Sequence, residues 1–236
     1  MRSLPEFRNQ RLFTYKVAAD RGSAPNPFGN LCTLAICKPS IRRVAEPGDV
    51  VAGFGCGDDS NRLVYLMVLE EAICWECYIT RCSNDQSFRA KVPQGERDPG
   101  DCIWKSATDE QAPLPSWSGH GEDDFERDVT NGQKVLIGRQ YWYFGRGDLY
   151  NARLPKKLEA IVPRGQGHRS NANAGFREEF REWFNTTLCN LNIENSGILG
   201  QPADGPGNRN ESPRCGECQH REKESDAAGE EDISQP

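Results

Sequence analysis

Residues 11–19, RLFTYKVAA, alternate in character, with Phe13, Tyr15 and Val17 on one face. A period of two predicts a half-buried strand. The alternation stops at Asp20–Asn30, DRGSAPNPFGN, which holds two prolines and two glycines. Such a stretch suits neither helix nor central strand and predicts a loop held by its own turns. Leu31–Cys37 is short and apolar. Pro39 and Ser40 then open a helical turn over Ile41–Ala45, because proline has no N–H to lose in a first turn. Pro47-Gly48-Asp49 turns the chain into a short strand, Val50–Phe54, and the glycine-rich Gly53–Ser60 predicts a hairpin loop. Arg62–Ala72 is apolar on both faces, with Leu63, Tyr65, Met67 and Leu69 opposite Val64, Leu66 and Val68. That pattern predicts one long central strand. Cys74–Cys82 predicts a short helix.

Residues 84–126 are polar and rich in Pro, Gly and Asp, with one apolar piece, Asp101–Lys105, that predicts a strand. A connection of this length is usually functional or mobile. Lys134–Ile137 and Tyr141–Phe144 predict a strand pair. Ser170 or Asn171 can cap a helix over Asn173–Leu191, where Phe176, Phe180, Trp183, Phe184 and Leu188 recur at helical spacing. A stripe of that kind packs a helix on a sheet. Beyond Asn195 little remains to bury, and Gly, Pro, Asn, Glu, Ser and Asp dominate, a disorder signature. The expected organisation is a flexible N-terminus over 1–10, an α+β domain over 11–194 and a disordered acidic tail over 195–236.

Composition narrows this picture. The chain has 236 residues, enough for one domain with extensions. No apolar run approaches the roughly 20 residues that span a bilayer, and Met1–Gln10 lacks the apolar core of a secretory signal, so the expected location is the cytoplasm, away from membranes. Ten cysteines are many, but without a signal peptide most are expected to be reduced packing residues, as Cys32, Cys37, Cys74 and Cys77 are by their apolar surroundings. The net charge of −6 is uneven. Residues 1–45 hold eight basic and two acidic side chains, whereas 200–236 hold four basic and nine acidic ones. A basic end on an acidic chain points one face towards an anionic partner.

No dinucleotide fingerprint, phosphate loop, nucleophile elbow or zincin motif occurs. Cys215-x-x-Cys218-x-His220 supplies three zinc-type ligands where about four are needed, so no metal is assigned, and no cofactor is expected. Cys74-x-x-Cys77, with Cys82 nearby, lacks the βαβ setting of a thioredoxin-like pair. His120, His168 and His220 sit in polar, glycine-rich contexts without a partner at diagnostic spacing, and His120 in the long loop is the one to test. The segment Asp20–Arg43 carries more chemistry. Lys38 and Arg42 are four residues apart at the start of a helical turn, where cations and free backbone N–H groups suit phosphate. Asp20, Asn26 and Thr33 can add directional hydrogen bonds, and Phe28 can stack on a base. The plainer reading is a structural Ω-loop with Phe28 plugged into the core.

The string Asp20–Arg43, DRGSAPNPFGNLCTLAICKPSIRR, resembles the signature of the nucleotide modification associated domain 2 family. Gly48–Gly53, Leu63-Val64-Tyr65, Gly100–Trp104, Val135–Ile137 and Tyr143-Phe144-Gly145 resemble its later pieces in order, so the likeness runs over roughly residues 11–190. Ser23, Val50, Cys102 and Gly138 depart from the family pattern. The resemblance implies an association with systems that modify nucleic-acid bases. The order of parts is also similar to barrels of the PUA and EVE type, which implies a small, partly closed mixed barrel with packed helices. Two functions follow as expectations. One is a module that binds nucleic acid or a nucleotide, holding a modified or flipped base through Asp20, Asn26, Phe28, Thr33, Lys38 and Arg42. The other is an enzyme acting on a nucleotide or base, with Asp20, Cys32, Lys38, Asp49 and His120 as candidate groups converging on one pocket.

Overall fold

A computed structural model describes residues 3–109 and 111–205; Cys215, Cys218, His220 and the rest of the acidic tail after Gly205 lie outside the described residues. The strand expected at residues 11–19 forms β1 (Leu12–Lys16), but it is buried on both faces rather than half-buried, because Leu12 and Phe13 each face a core. The apolar stretch after the proline-rich loop gives β2 (Cys32–Leu34), and the proline-opened turn gives α1 (Pro39–Val44). The chain continues through β3 (Val50–Phe54), β4 (Leu63–Val68), β5 (Glu71–Cys74) and α2 (Trp75–Asn84). After the long polar connection come β6 (Lys134–Gly138), β7 (Gln140–Tyr143), β8 (His168–Arg169), α3 (Arg177–Asn190) and β9 (Gly197–Ile198).

The long strand expected over Arg62–Ala72 is two strands in two sheets. β4 belongs to a six-stranded sheet of order β8-β1-β3-β4-β7-β9, and β5 to a three-stranded sheet of order β2-β6-β5. The change of sheet falls where two backbones meet. A Cβ on Gly138 would stand 2.4 Å from the Val68 carbonyl oxygen, so only glycine fits there. Leu69 is held on its other side by reciprocal backbone bonds, Gly48 N to Leu69 O at 2.7 Å and Leu69 N to Asp49 O at 2.8 Å.

The expected PUA-like barrel does not form. β1 runs parallel to β3, and the short strands β8 and β9 take the two edges, so the large sheet stays open. The continuation that would close it, β5 with β6, leaves for the second sheet instead. Both faces of the large sheet are covered. Leu12, Ala52, Leu66, Trp142 and Phe144 pack against the predicted stripe of α3, where Phe180, Phe184 and Leu188 are buried. Each such side chain contributes about 1.5–3 kcal/mol of burial. Phe13, Tyr15, Val51, Tyr65 and Tyr143 on the opposite face pack against Cys32, Leu34, Ile41 and Leu136 of the second sheet and α1. A third cluster joins Trp75 and Tyr78 of α2 to Phe88, Trp104, Phe125 and Val135. Asp101–Lys105, expected as a strand, is irregular chain there, buried from Asp101 to Trp104 with Lys105 exposed.

The ends are better anchored than their composition suggests. Leu4 is buried, and its backbone exchanges two hydrogen bonds with the Asn185 side chain on α3. Residues 197–205, which composition assigns to the tail, carry β9 and bond to β7 through Leu199, to Arg146 through Gln201 and to Asp20 through Ala203 and Asp204. Among the described residues no helix is long and apolar enough to cross a membrane.

Candidate active site

The expected ligand set around Asp20–Arg43 divides into scaffold and cavity wall. Asn26 and Thr33 pair as an isolated bridge and are fully buried. Asn26 donates to Pro99 O at 2.9 Å and accepts from Phe28 N and Lys91 Nζ, while Thr33 Oγ1 donates to Asp101 at 2.5 Å. Asp20 is buried beside Tyr143, whose hydroxyl donates to it, and Ala203 N donates to its second oxygen at 3.1 Å. Burial pushes its carboxyl up to about 6 against the opposing pull of those two donors. Arg42 corrects the sequence reading most plainly. It is wholly buried and its guanidinium is committed to carbonyls: Cys37 O at 2.7 Å, Lys134 O at 2.9 Å and Asp128 O at 2.6 Å. It therefore does not face a phosphate with Lys38, and α1, six residues long, is too short to make an anion site by its end alone.

The enzyme candidates do not converge as a set either. Cys32 is buried in the core and its thiol is pushed up to about 12 by that burial. Asp49 caps the turn into β3, accepting from Arg11 N at 2.7 Å and Glu46 N at 2.9 Å. Lys38 and His120 alone share a cavity. The cysteine that meets them is Cys37, which is partly exposed.

Cys37 and Lys38 precede α1 in consecutive left-handed conformations, with φ of 59° and 46°. A side chain with a Cβ disfavours that region, and it persists only where the surroundings impose it. Here the imposition is visible. Cys37 N donates to Asp128 Oδ1 at 2.9 Å, while its carbonyl is gripped by Arg42. Asp128 rides on a single π-helical turn, Glu126–Asn131, and Trp75 Nε1 donates to its carbonyl at 2.9 Å. Arg42 thus brackets both Cys37 and Asp128, and Gly132 leaves it room, since a Cβ there would lie 2.0 Å from Nη2. The second Asp128 oxygen, Oδ2, stands 2.6 Å from His120 Nδ1. His120 Nε2 in turn lies 3.3 Å from Cys37 Sγ. The result is a chain of thiol, imidazole and carboxylate with the order and spacing of a nucleophile, a proton carrier and an orienting group.

The electrostatics fit that order. Burial disfavours a charged imidazole, but the Asp128 carboxylate and the Cys37 sulfur outweigh it and raise His120 to about 10. Burial likewise opposes charge on Asp128, but His120 first, then Arg127 and Arg42, lower it to about 2. Arg127 Nη2 lies 3.1 Å from His120 Nδ1 and would repel its proton, yet Arg127 is neutralised by Asp124 at 3.0 Å and Asp128 at 3.4 Å. We read His120 as an imidazolium held by the Asp128 carboxylate. Among the described residues no three His, Cys, Asp or Glu side chains are grouped to hold a metal ion.

Cys37, Lys38, His120 and Arg127 open on a cavity of about 260 Å³. Lys38 Nζ sits over the Tyr15 ring, 5.3 Å from its centroid, and reaches Gln166 only at 3.2 and 3.4 Å. Ser23 lines the same cavity; it is 2% exposed and its hydroxyl has no hydrogen-bond partner among the described residues. Arg21 lines this cavity and also a larger one of about 990 Å³, whose wall includes Phe28, Arg97, Arg146 and Pro202.

A family model for nucleotide modification associated domain 2 matches residues 9–204, most of the chain. The chain belongs to that family. No curated protein and no solved structure matches it. Within the nucleotide modification associated domain 2, the Asp20–Arg43 signature is largely the frame on which Cys37 is mounted. Cys37, Asp128 and Arg127 were not singled out by sequence. Cys37 ends an apolar run and reads as packing, and Asp128 is one acid among several between Glu122 and Asp128. The available signal was position: Cys37 alone in its run borders a helix start, and a long polar loop supplies a histidine.

Proposed function

We propose that this protein is a cysteine-dependent enzyme of nucleotide modification, acting on an electrophilic carbonyl carbon of a nucleotide or of a group attached to a base. The observation that carries the reading is the Cys37–His120–Asp128 chain, imposed on a strained backbone and opening on a cavity. Cys37 Sγ attacks the carbonyl carbon and the oxygen takes the electron pair. Collapse breaks the bond to the leaving group, which receives the Nε2 proton of His120, leaving a thioester. Water then attacks the thioester and gives its proton to Nε2, and the sulfur departs. Asp128 holds the ring in orientation throughout and does not exchange a proton. The Ser23 hydroxyl and Lys38 are the donors available to the developing oxyanion. The larger cavity supports a nucleotide as substrate, since Phe28 offers a stacking face and Arg21, common to both cavities, offers a cation between base and reacting group.

The test needs no known substrate. Limiting iodoacetamide followed by peptide mapping is expected to label Cys37 ahead of the exposed Cys189. His120→Ala is expected to slow Cys37 labelling by about tenfold or more while Cys189 is unaffected. Equal labelling of the two cysteines, or indifference to His120→Ala, overturns the reading. A second reading, nucleotide binding without turnover, is supported by the Arg21, Phe28 cavity alone. It expects salt-sensitive binding of oligonucleotides that Cys37→Ala leaves intact and no product from any bound ligand.

A further inference from the structure

We propose that Cys74 and Cys77 form a separate redox site, a dithiol–disulfide pair that exchanges electrons with small thiols and disulfides of the glutathione class. The two are bonded to each other, with Cα atoms 5.2 Å apart, and both are exposed at the surface. Among the other described cysteines, Cys32, Cys82 and Cys102 are buried. The bond closes a loop of one helical turn, so it restrains the unfolded chain little compared with a cross-link between distant segments. A structural staple has no reason to stand there; an accessible exchange site does.

The local setting supports exchange. Cys74 ends β5 and is the N-cap of α2, a ten-residue helix, and Cys77 N donates to Cys74 Sγ at 3.1 Å. That N–H and the positive end of the helix favour negative charge on Cys74 when the bond is open. The turn itself is fixed from beneath. Trp75 and Tyr78 are buried, and Trp75 and Tyr78 donate to Asp128 O at 2.9 Å and Asp101 at 2.7 Å. Neither sulfur is needed to hold α2 in place. Sequence alone dismissed this pair for want of a βαβ setting; the structure supplies a strand running directly into a helix at the two cysteines.

In the oxidising direction the Cys74 thiolate attacks one sulfur of a small disulfide, forming a mixed disulfide and releasing one thiolate. The Cys77 thiolate then attacks Cys74 Sγ, closing the intramolecular bond and releasing the second. The protein dithiol loses two electrons and two protons, and the small disulfide becomes two thiols.

The test is an equilibration of the full chain with reduced and oxidised glutathione over a range of ratios, quenched by alkylation and read by peptide mass. The expected result is reversible interconversion of one Cys74–Cys77 bond with its midpoint inside that range. Circular dichroism is expected to be the same in both states. Cys77→Ser is expected to trap glutathione on Cys74 about tenfold faster than Cys74→Ser traps it on Cys77. A pair that stays bonded at the most reducing ratio, or open at the most oxidising one, overturns the proposal. So does equal trapping by the two variants.

Discussion

Two buried polar networks hang on the same signature segment, and they differ in whether they are finished. Around Lys91 every group is met. Its ammonium donates to Asn26 O, Asn26 Oδ1 and Leu31 O, each at 2.9 Å, and Asp101 accepts from Thr33 and Tyr78. Burial lowers Lys91 to about 8 and raises Asp101, each opposed by the charge of the other. Around Cys37 the network stops at a cavity, with a partly exposed cysteine, a loosely held lysine and a hydroxyl without a partner among the described residues. A satisfied network fixes a fold and has nothing left to offer a ligand. An unfinished one keeps donors in reserve at the cost of strain, and strain of this kind collects where chemistry occurs.

The contrast predicts opposite responses to truncation. Lys91→Ala leaves Leu31 O without its donor and the buried Asp101 without its opposing charge, although Asn26 O and Oδ1 keep Thr33 N and Phe28 N, and is expected to cost about 3–5 kcal/mol in urea unfolding. Cys37→Ala is expected to cost about 1 kcal/mol or less while abolishing labelling and turnover. If Cys37→Ala destabilises as much as Lys91→Ala, both networks are scaffold and the comparison collapses.

The next effect is in pH. His120 is raised from 6.5 to about 10 in the folded protein, so its contribution is complete below 6.5 and is lost as pH rises through about 10. Asp128 is lowered from 3.8 to about 2, so its contribution is present above 3.8 and is lost as pH falls through about 2. Between pH 4 and 6.5 the pair is fully formed. His120→Gln is therefore expected to remove most of the loss of stability between pH 7 and 10 relative to the parent chain. Parallel urea titrations at pH 6 and 10 measure it; an unchanged pH dependence means that His120 does not carry the charge.

Much of this fold was legible where periodicity is strong. The alternation at Phe13–Val17 and the aromatic stripe of α3 both reported a face buried on a partner, and β1 and α3 formed. The split of Arg62–Ala72 was not legible, because an apolar run says that both faces are covered but not that the covering sheets differ. Arg42 shows the same limit for the site. An arginine four residues from a lysine announces a shared helical face, and nothing in that spacing tells that three carbonyls consume its donors. The Cys37–His120–Asp128 chain joins residues 83 and 8 positions apart, across a long connection, and such pairing exists only once the chain is folded.

The smallest effect is the sharpest test of the unfinished network. Ser23 is buried and its hydroxyl meets no partner among the described residues, so the folded state carries a desolvation cost without a bond to offset it. Ser23→Ala removes that group, and the stability is expected to stay level or rise by about 1 kcal/mol. The same change takes a donor from the cavity that holds Cys37 and His120, so capture of Cys37 by a carbonyl electrophile is expected to slow a few-fold. A gain in stability with a loss in capture rate marks a polar group kept for a ligand. A loss of stability by more than about 1 kcal/mol would instead mean that Ser23 is bonded within the protein, and that this network too is closed.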